Sequence, residues 1–319
     1  MTAPLDEANP RIATLTAISV PEATSVGNSP FQPAQPILMP LRALLEEWDK
    51  DAIELHALRE DGKARGPVTG LAALDTEIGG ALLPGVHIAH GVPGVGKTAF
   101  ALQIAATCGC PCLYLTVEMP PLELLRRITA RVTGTFLGKF KTGELPPAKS
   151  SELVRQAVAA TPLLALLDGT SAYATPIALL AAGEATRTLF PATSHLLVVV
   201  DSLHSWAAGA GSNAAEYDRL GEHLVALKQI AARLKAPVLV ISERNRQSME
   251  RGGLSAGAGH RGIEYGAETV FDLDCDKDAT EHDGEMDVTL KLQKNRHGAR
   301  GKKVSLLFHG ALQRFRTAS

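Results

Sequence analysis

The run Gly91-Val92-Pro93-Gly94-Val95-Gly96-Lys97-Thr98 spells the phosphate-loop pattern G-x-x-x-x-G-K-[ST]. No other segment limits the fold so tightly, because the pattern works only between a buried strand and the start of a helix. Residues 86–89 read as the strand and residues 99–106 as the helix. Glycines at 91, 94 and 96 let the backbone turn so that successive N–H groups face an anion, and the helix adds its positive end. The phosphate-facing set is Gly91, Pro93, Gly94, Val95, Gly96, Lys97, Thr98 and Ala99. Lys97 is expected to reach the β- and γ-phosphates, and the Thr98 hydroxyl to hold Mg²⁺. The chain is therefore expected to bind a nucleoside triphosphate.

A strand–loop–helix unit of this kind needs a sheet around it, and the sequence supplies one. Residues 113–117, 163–167, 196–200 and 238–242 are short apolar runs, alternating with helical stretches at 121–133, 177–188 and 216–234. Strands apolar on both faces belong to a largely parallel sheet covered by helices. In the final third, residues 269–273, 287–293 and 304–308 alternate as antiparallel strands do. The expected fold is α/β, a mostly parallel sheet with an antiparallel extension at one edge. Aromatic residues make up only 4% of a chain that is 45% hydrophobic, so the core must be built from Leu, Val, Ile and Ala.

Residues 1–38 carry many of the prolines and no sustained period, which reads as a loosely attached tail. Residues 39–64 read as an amphipathic helix, with Leu41, Leu44, Leu45, Trp48, Ile53, Leu55 and Leu58 at roughly helical spacing. It either folds back on its own core or packs on another subunit. Residues 65–319 form the α/β domain. The formal net charge is −2, so no bulk basic field marks the chain as a duplex-coating protein. Cys108, Cys110, Cys112 and Cys275 lack zinc-ligand spacing and read as small buried hydrophobes in a reducing compartment. With neither an apolar span nor a signal-peptide pattern, a cytoplasmic protein is expected.

A phosphate loop alone does not separate hydrolysis from binding. Asp201 ends the apolar run 196–200 and so falls on the ligand side of an open α/β sheet, where it can support Mg²⁺; it could also simply cap the helix that follows. Glu118 directly follows the run 113–117 and could accept a proton from attacking water, or be a surface turn residue. Lys294 and Arg296, by spacing alone, belong to a solvated basic loop with Arg300, Lys302 and Lys303.

Taken in order, these segments resemble the RecA-fold motor domain of DnaB-type replicative helicases. The resemblance rests on Val68-Thr69-Gly70-Leu71 with Leu74-Asp75, the loop 91–98, Thr116-Val117-Glu118-Met119-Pro120 and Val200-Asp201-Ser202-Leu203. It continues through Ile241-Ser242-Glu243-Arg244-Asn245-Arg246, the segment 262–268 and Lys294-Asn295-Arg296-His297-Gly298. It implies that Glu118 is the general base, that Asp201 supports Mg²⁺, and that Lys294 and Arg296 reach the γ-phosphate of a neighbouring subunit. ATP and Mg²⁺ are the cofactors it implies, with single-stranded DNA as the track and a homo-oligomer, a hexameric ring, as the working form; no membrane is involved.

Two departures stand out. Glu243 occupies the position where the family usually has a γ-phosphate-sensing Gln, and an ionised Glu is acceptor-only. The family's helical N-terminal domain is not recognised ahead of residue 39. Arg246, Arg251 and Arg261 are the candidate DNA contacts, with the loop 207–215; without aromatic residues, binding would rest on phosphates and fall with salt. The segment 68–80 is equally typical of RadA- and KaiC-like ATPases that do not unwind, and a nucleotide-switched loader is a third possibility.

Overall fold

The computed structural model describes residues 38–191, 195–211, 214–243, 266–275 and 283–318. Helix α1, Leu45–Glu60, follows a single 3-10 turn, Leu41–Leu44. It is shorter than the sequence period suggests and buries none of its residues. Trp48 and Ile53 are 70% and 71% exposed, so the apolar positions do not fold back on this chain's own core.

Among the described residues one sheet of nine strands organises the domain, in the order β3-β2-β4-β5-β1-β6-β7-β8-β9. Strands β1 (Gly85–Gly91), β2 (Cys112–Thr116), β3 (Leu164–Asp168), β4 (Leu197–Asp201) and β5 (Pro237–Glu243) run parallel. Strand β6 (Thr269–Cys275) pairs parallel with β1 on one side and antiparallel with β7 (Glu285–Asn295) on the other. The period-two pattern of 269–273 thus marks the seam between the two regimes. Strands β8 (Lys303–His309) and β9 (Arg314–Thr317) complete the antiparallel extension.

Helices cover both faces. On one side lie α2 (Ala72–Glu77), α3 (Lys97–Thr107), α4 (Pro121–Thr133), α5 (Leu137–Thr142) and α6 (Pro147–Ala160); on the other, α7 (Pro176–Leu189), α8 (Leu203–Ala208) and α9 (Glu216–Leu234). Alternate residues of β4 divide the same way: Leu197 and Val199 enter one apolar cluster, Val198 and Val200 the other. That division is the period-two rule for a strand covered on both faces.

Two locks fix the phosphate-loop helix. At its end, the Val68 N–H donates to the Cys108 carbonyl and the Thr69 N–H to Asp75, which ties the segment 68–75 to the tail of α3. Gly70 lies so close to Thr107 that a Cβ would stand 2.4 Å from its hydroxyl, so the family-like Thr-Gly pair has a packing reason. On the other flank, buried Gln103 donates to the Phe315 carbonyl at 2.9 Å and accepts from the Phe315 N–H at 2.8 Å. That pair joins β9 to α3, with Phe315 edge-on to Phe100 and stacked on Phe308.

Candidate functional site

The C-terminal ends of β1, β2, β4 and β5 meet at one edge of the sheet, the edge where open α/β folds bind ligands. The loop after β1 begins at Gly91, which lies in register with Glu243 on one side and Leu273 on the other. A Cβ at Gly91 would stand 2.3 Å from the Leu273 carbonyl oxygen, so the strand must open into the loop with a bare backbone. Gly96 caps α3 in the left-handed conformation at φ 89°, with the Phe308 ring 2.8 Å from where its Cβ would be. Val95 is fully buried and anchors the loop in the core, while Pro93 and Gly94 form its exposed tip.

Beside the loop is a cavity of about 300 Å³ lined by Gly94, Gly96, Lys97, Thr98 and Ala99 from the loop and α3. Glu118 and Met119 follow β2, Asp201 and Ser202 end β4, and Ile241 and Glu243 end β5; all of these line the same cavity. The Lys97 ammonium donates to the carbonyls of Gly91 and Val92 at 3.1 and 3.2 Å, which holds its charge over the loop.

Asp201 is only 4% exposed. Burial pushes its carboxyl up from the ordinary range, and hydrogen bonds from Tyr114 and Thr98 pull it back towards ionisation. The Tyr114 hydroxyl donates at 2.7 Å from the adjacent strand. Its own ionisation is pushed well up, first by burial and then by the charge of Asp201, so it remains a donor. A buried carboxylate with a hydroxyl beside it is the hard-oxygen donor set that suits Mg²⁺.

Glu118 is exposed and accepts from two hydroxyls on its Oε1: from Ser202, and from Ser205 of α8 at 2.7 Å. Glu243 is also exposed, and its backbone N–H donates to His204 Nδ1 at 3.3 Å. Both carboxylate-bearing turns are therefore fastened to α8.

The other residues singled out in the sequence lie elsewhere. Arg296 follows β7, its N–H donating to the Glu268 carbonyl, and the Glu268 N–H donates in turn to Val86 near the start of β1. The Arg296 guanidinium pairs with the Glu268 carboxylate at 3.2 Å, and His297 approaches the other oxygen at 3.3 Å. Lys294 sits opposite Val270 at the same end of the sheet. With β1 spanning Gly85–Gly91, Arg296 is about 20 Å from its own phosphate loop. Arg246, Arg251 and Arg261 lie outside the described residues, as do two positions of the loop 207–215.

Phe308, from the Leu-x-Phe strand 306–308 that belongs to the family pattern, also lines the cavity; two further lining residues, Arg127 and Gln313, were not singled out in the sequence. Arg127 of α4 is held by Glu123 at 3.3 Å and donates to the Gln313 side-chain oxygen Oε1 at 2.5 Å. The Glu123–Arg127 spacing reads in sequence as an ordinary helix-surface pair, and Gln313 is 186 residues further on.

Residues 66–317 match the family model of the DnaB-like helicase C terminal domain. The replicative DNA helicase DnaB of Haemophilus influenzae is 26% identical over 276 residues, covering 82% of this chain and 57% of that protein. That of Treponema pallidum is 27% identical over 264 residues, covering 78% and 56%. The chain thus spans about half the length of these curated relatives. In structure, the ATPase domain of G40P superposes with a TM-score of 0.70 at 20% identity, covering 85% of this chain and 98% of that one. A KaiC-like protein from Pyrococcus horikoshii gives 0.56 at 18% identity, covering 80% and 100%. The ordered motifs, the sheet that carries them and the extent of the family match lead to one assignment: the chain belongs to the DnaB-like helicase C-terminal domain family.

Proposed function

We propose that the chain is the ATP-hydrolysing motor of a ring that moves along single-stranded DNA, as a DnaB-like helicase does. The observation that carries this reading is a division of the chemistry between two ends of one sheet. Lys97, Thr98, Glu118 and Asp201 converge on one cavity, whereas Arg296 stands about 20 Å from it. A subunit built this way holds half of a hydrolytic site and offers the other half to a neighbour.

In this reading the loop backbone and Lys97 bind the phosphates, and Thr98 and Asp201 would hold Mg²⁺, whose chemistry is to neutralise charge on the phosphates. Glu118 orients the attacking water and takes its proton; Ser202 and Ser205 fix the carboxylate in place. Arg296, with Lys294, enters the neighbour's site and stabilises the charge that develops on the transferring group. Helix α1, with its apolar residues facing solvent in the single chain, docks on the adjacent subunit. Arg246, Arg251 and Arg261 contact DNA phosphates. Glu243 beside Gly91 senses the nucleotide, with Glu in place of the usual Gln.

The test is the ATPase rate with and without single-stranded DNA, together with strand displacement on a forked duplex. DNA-stimulated hydrolysis with displacement supports the motor. Stimulation without displacement points instead to a KaiC- or RadA-like ATPase, and hydrolysis indifferent to DNA at every salt concentration refutes both.

A further inference from the structure

Three of the four cysteines converge at the turn between α3 and β2, away from the cavity described above. Cys108 closes α3, Gly109 turns with φ 76°, and Cys110 and Cys112 follow. The left-handed glycine folds the Cys-Gly-Cys segment back on itself and brings the Cys110 thiol to 3.8 Å from the Cys108 sulfur. Cys112 lies fully buried at the start of β2. Among the described residues no group of His, Cys, Asp and Glu is arranged to hold a metal, so ligation does not account for the cluster.

Burial usually keeps a cysteine inert, but here the neighbours act against it. The hydrogen bond from Cys110 pushes the Cys108 thiol down, while Cys110 is pushed up by donating to Cys108. That donation to the Cys108 sulfur favours the thiolate, the reactive form, on Cys108. The turn is also reachable: Gly109 is exposed, and a cavity of about 220 Å³ is lined by Cys108, Gly109, Cys110 and the loop 160–164. A small oxidant fits that space.

We infer that Cys108 and Cys110 form a peroxide-reactive thiol pair that closes to a reversible disulfide. The Cys108 thiolate attacks one oxygen of hydrogen peroxide; the O–O bond breaks, an S–O bond forms, and the leaving hydroxide is protonated to water. The Cys110 sulfur then attacks the sulfenic sulfur, the S–O bond breaks, and the second oxygen leaves as water. Two thiols lose two electrons and two protons, and one peroxide is reduced to two waters. Cys112, held by its strand pairing with Leu164 and Leu197, stays behind as a thiol. The pair lies at the far end of α3 from Lys97, about 15 Å along the helix, so changing it spares the phosphate loop.

The experiment uses the full chain, reduced and then freed of reductant, with hydrogen peroxide as the probe. Free thiols are counted under denaturing conditions, and intact mass and peptide maps are recorded before and after dithiothreitol. Two of the four thiols should be lost, with a mass lower by two hydrogens and the bridge mapped to the peptide holding Cys108 and Cys110. Dithiothreitol should restore both. Cys275, which is more exposed, should outlast them. In Cys110→Ser the sulfenic acid should persist on Cys108 and be trapped by dimedone. Retention of all four thiols, earlier loss of Cys275, or a bridge that maps between chains would each overturn the inference. The wild-type map decides the matter even if Cys110→Ser fails to fold.

Discussion

Replacing Tyr114 by Phe removes one hydroxyl from the core and no carbon, so it isolates what that hydroxyl does for Asp201. The hydroxyl donates to Asp201 Oδ2 at 2.7 Å in a setting where both residues are almost wholly buried. A hydrogen bond to a charged group contributes about 1.5–3 kcal/mol. Burial already raises Asp201, so losing the donor should raise it further. A carboxyl that has taken up its proton no longer supports a divalent cation. The acid limb of kcat/KM against pH for ATP hydrolysis should therefore move to higher pH, with the alkaline plateau preserved.

Folding stability should respond through the same group. A carboxyl whose pKa is higher folded than unfolded binds more protons in the native state between the two values. Its stabilising contribution is full below the unfolded value of about 3.9 and is lost as pH rises through the folded one. Tyr114→Phe widens that window upwards, so the variant should lose about 1.5–3 kcal/mol at neutral pH and less in acid. Denaturant titrations at several pH values measure this directly. An unmoved acid limb, or a loss of activity uniform across pH, would refute the reasoning and leave Tyr114 as a packing residue.

Glu118→Gln keeps the shape of the side chain and removes its basicity; hydrolysis should fall by about 10²–10⁴-fold while a fluorescent nucleotide still binds. Gly96→Ala sets a Cβ 2.8 Å from the Phe308 ring at a left-handed φ, and should weaken nucleotide binding and cost about 1–2 kcal/mol in stability, read by titration and thermal melting. Gln103→Leu strands the N–H and carbonyl of Phe315, both buried, and should lower stability by about 2–4 kcal/mol, with hydrogen exchange rising first at β9.

The parts of the fold legible in the sequence were those where one physical pattern dominated. Helices α4 and α9 begin and end where the amphipathic period does, and β4 is the continuous apolar run 196–200 shifted by one residue. Helices α5 and α6 went unread because only Leu137, Leu153 and Ala157 are buried along them, too few to set a period. Helix α8 is six residues long and hides behind the stronger strand signal before it. For the site, the loop, Glu118 and Asp201 were readable because each ends a strand at the same edge. Ser205 and Arg127 were not: both sit on helices far along the chain from their partners, and only the folded sheet brings them to Glu118 and Gln313. The reach of Arg296 is a third case. Its sequence context names a function, but only the register at Val86 places it at the wrong end of the sheet for its own nucleotide.

The shared site is tested most directly by mixing two inactive chains. Glu118→Gln lacks the base but keeps Arg296 for its neighbour; Arg296→Ala keeps the base but offers no finger. Each alone should hydrolyse ATP at background rate while still binding nucleotide. Mixed in equal amounts and reassembled, about a quarter of the interfaces join an intact base to an intact finger, so hydrolysis should recover towards about a quarter of wild type. A mixture no faster than its two components, or an Arg296→Ala chain that turns over normally by itself, would contradict a hydrolytic site divided between subunits.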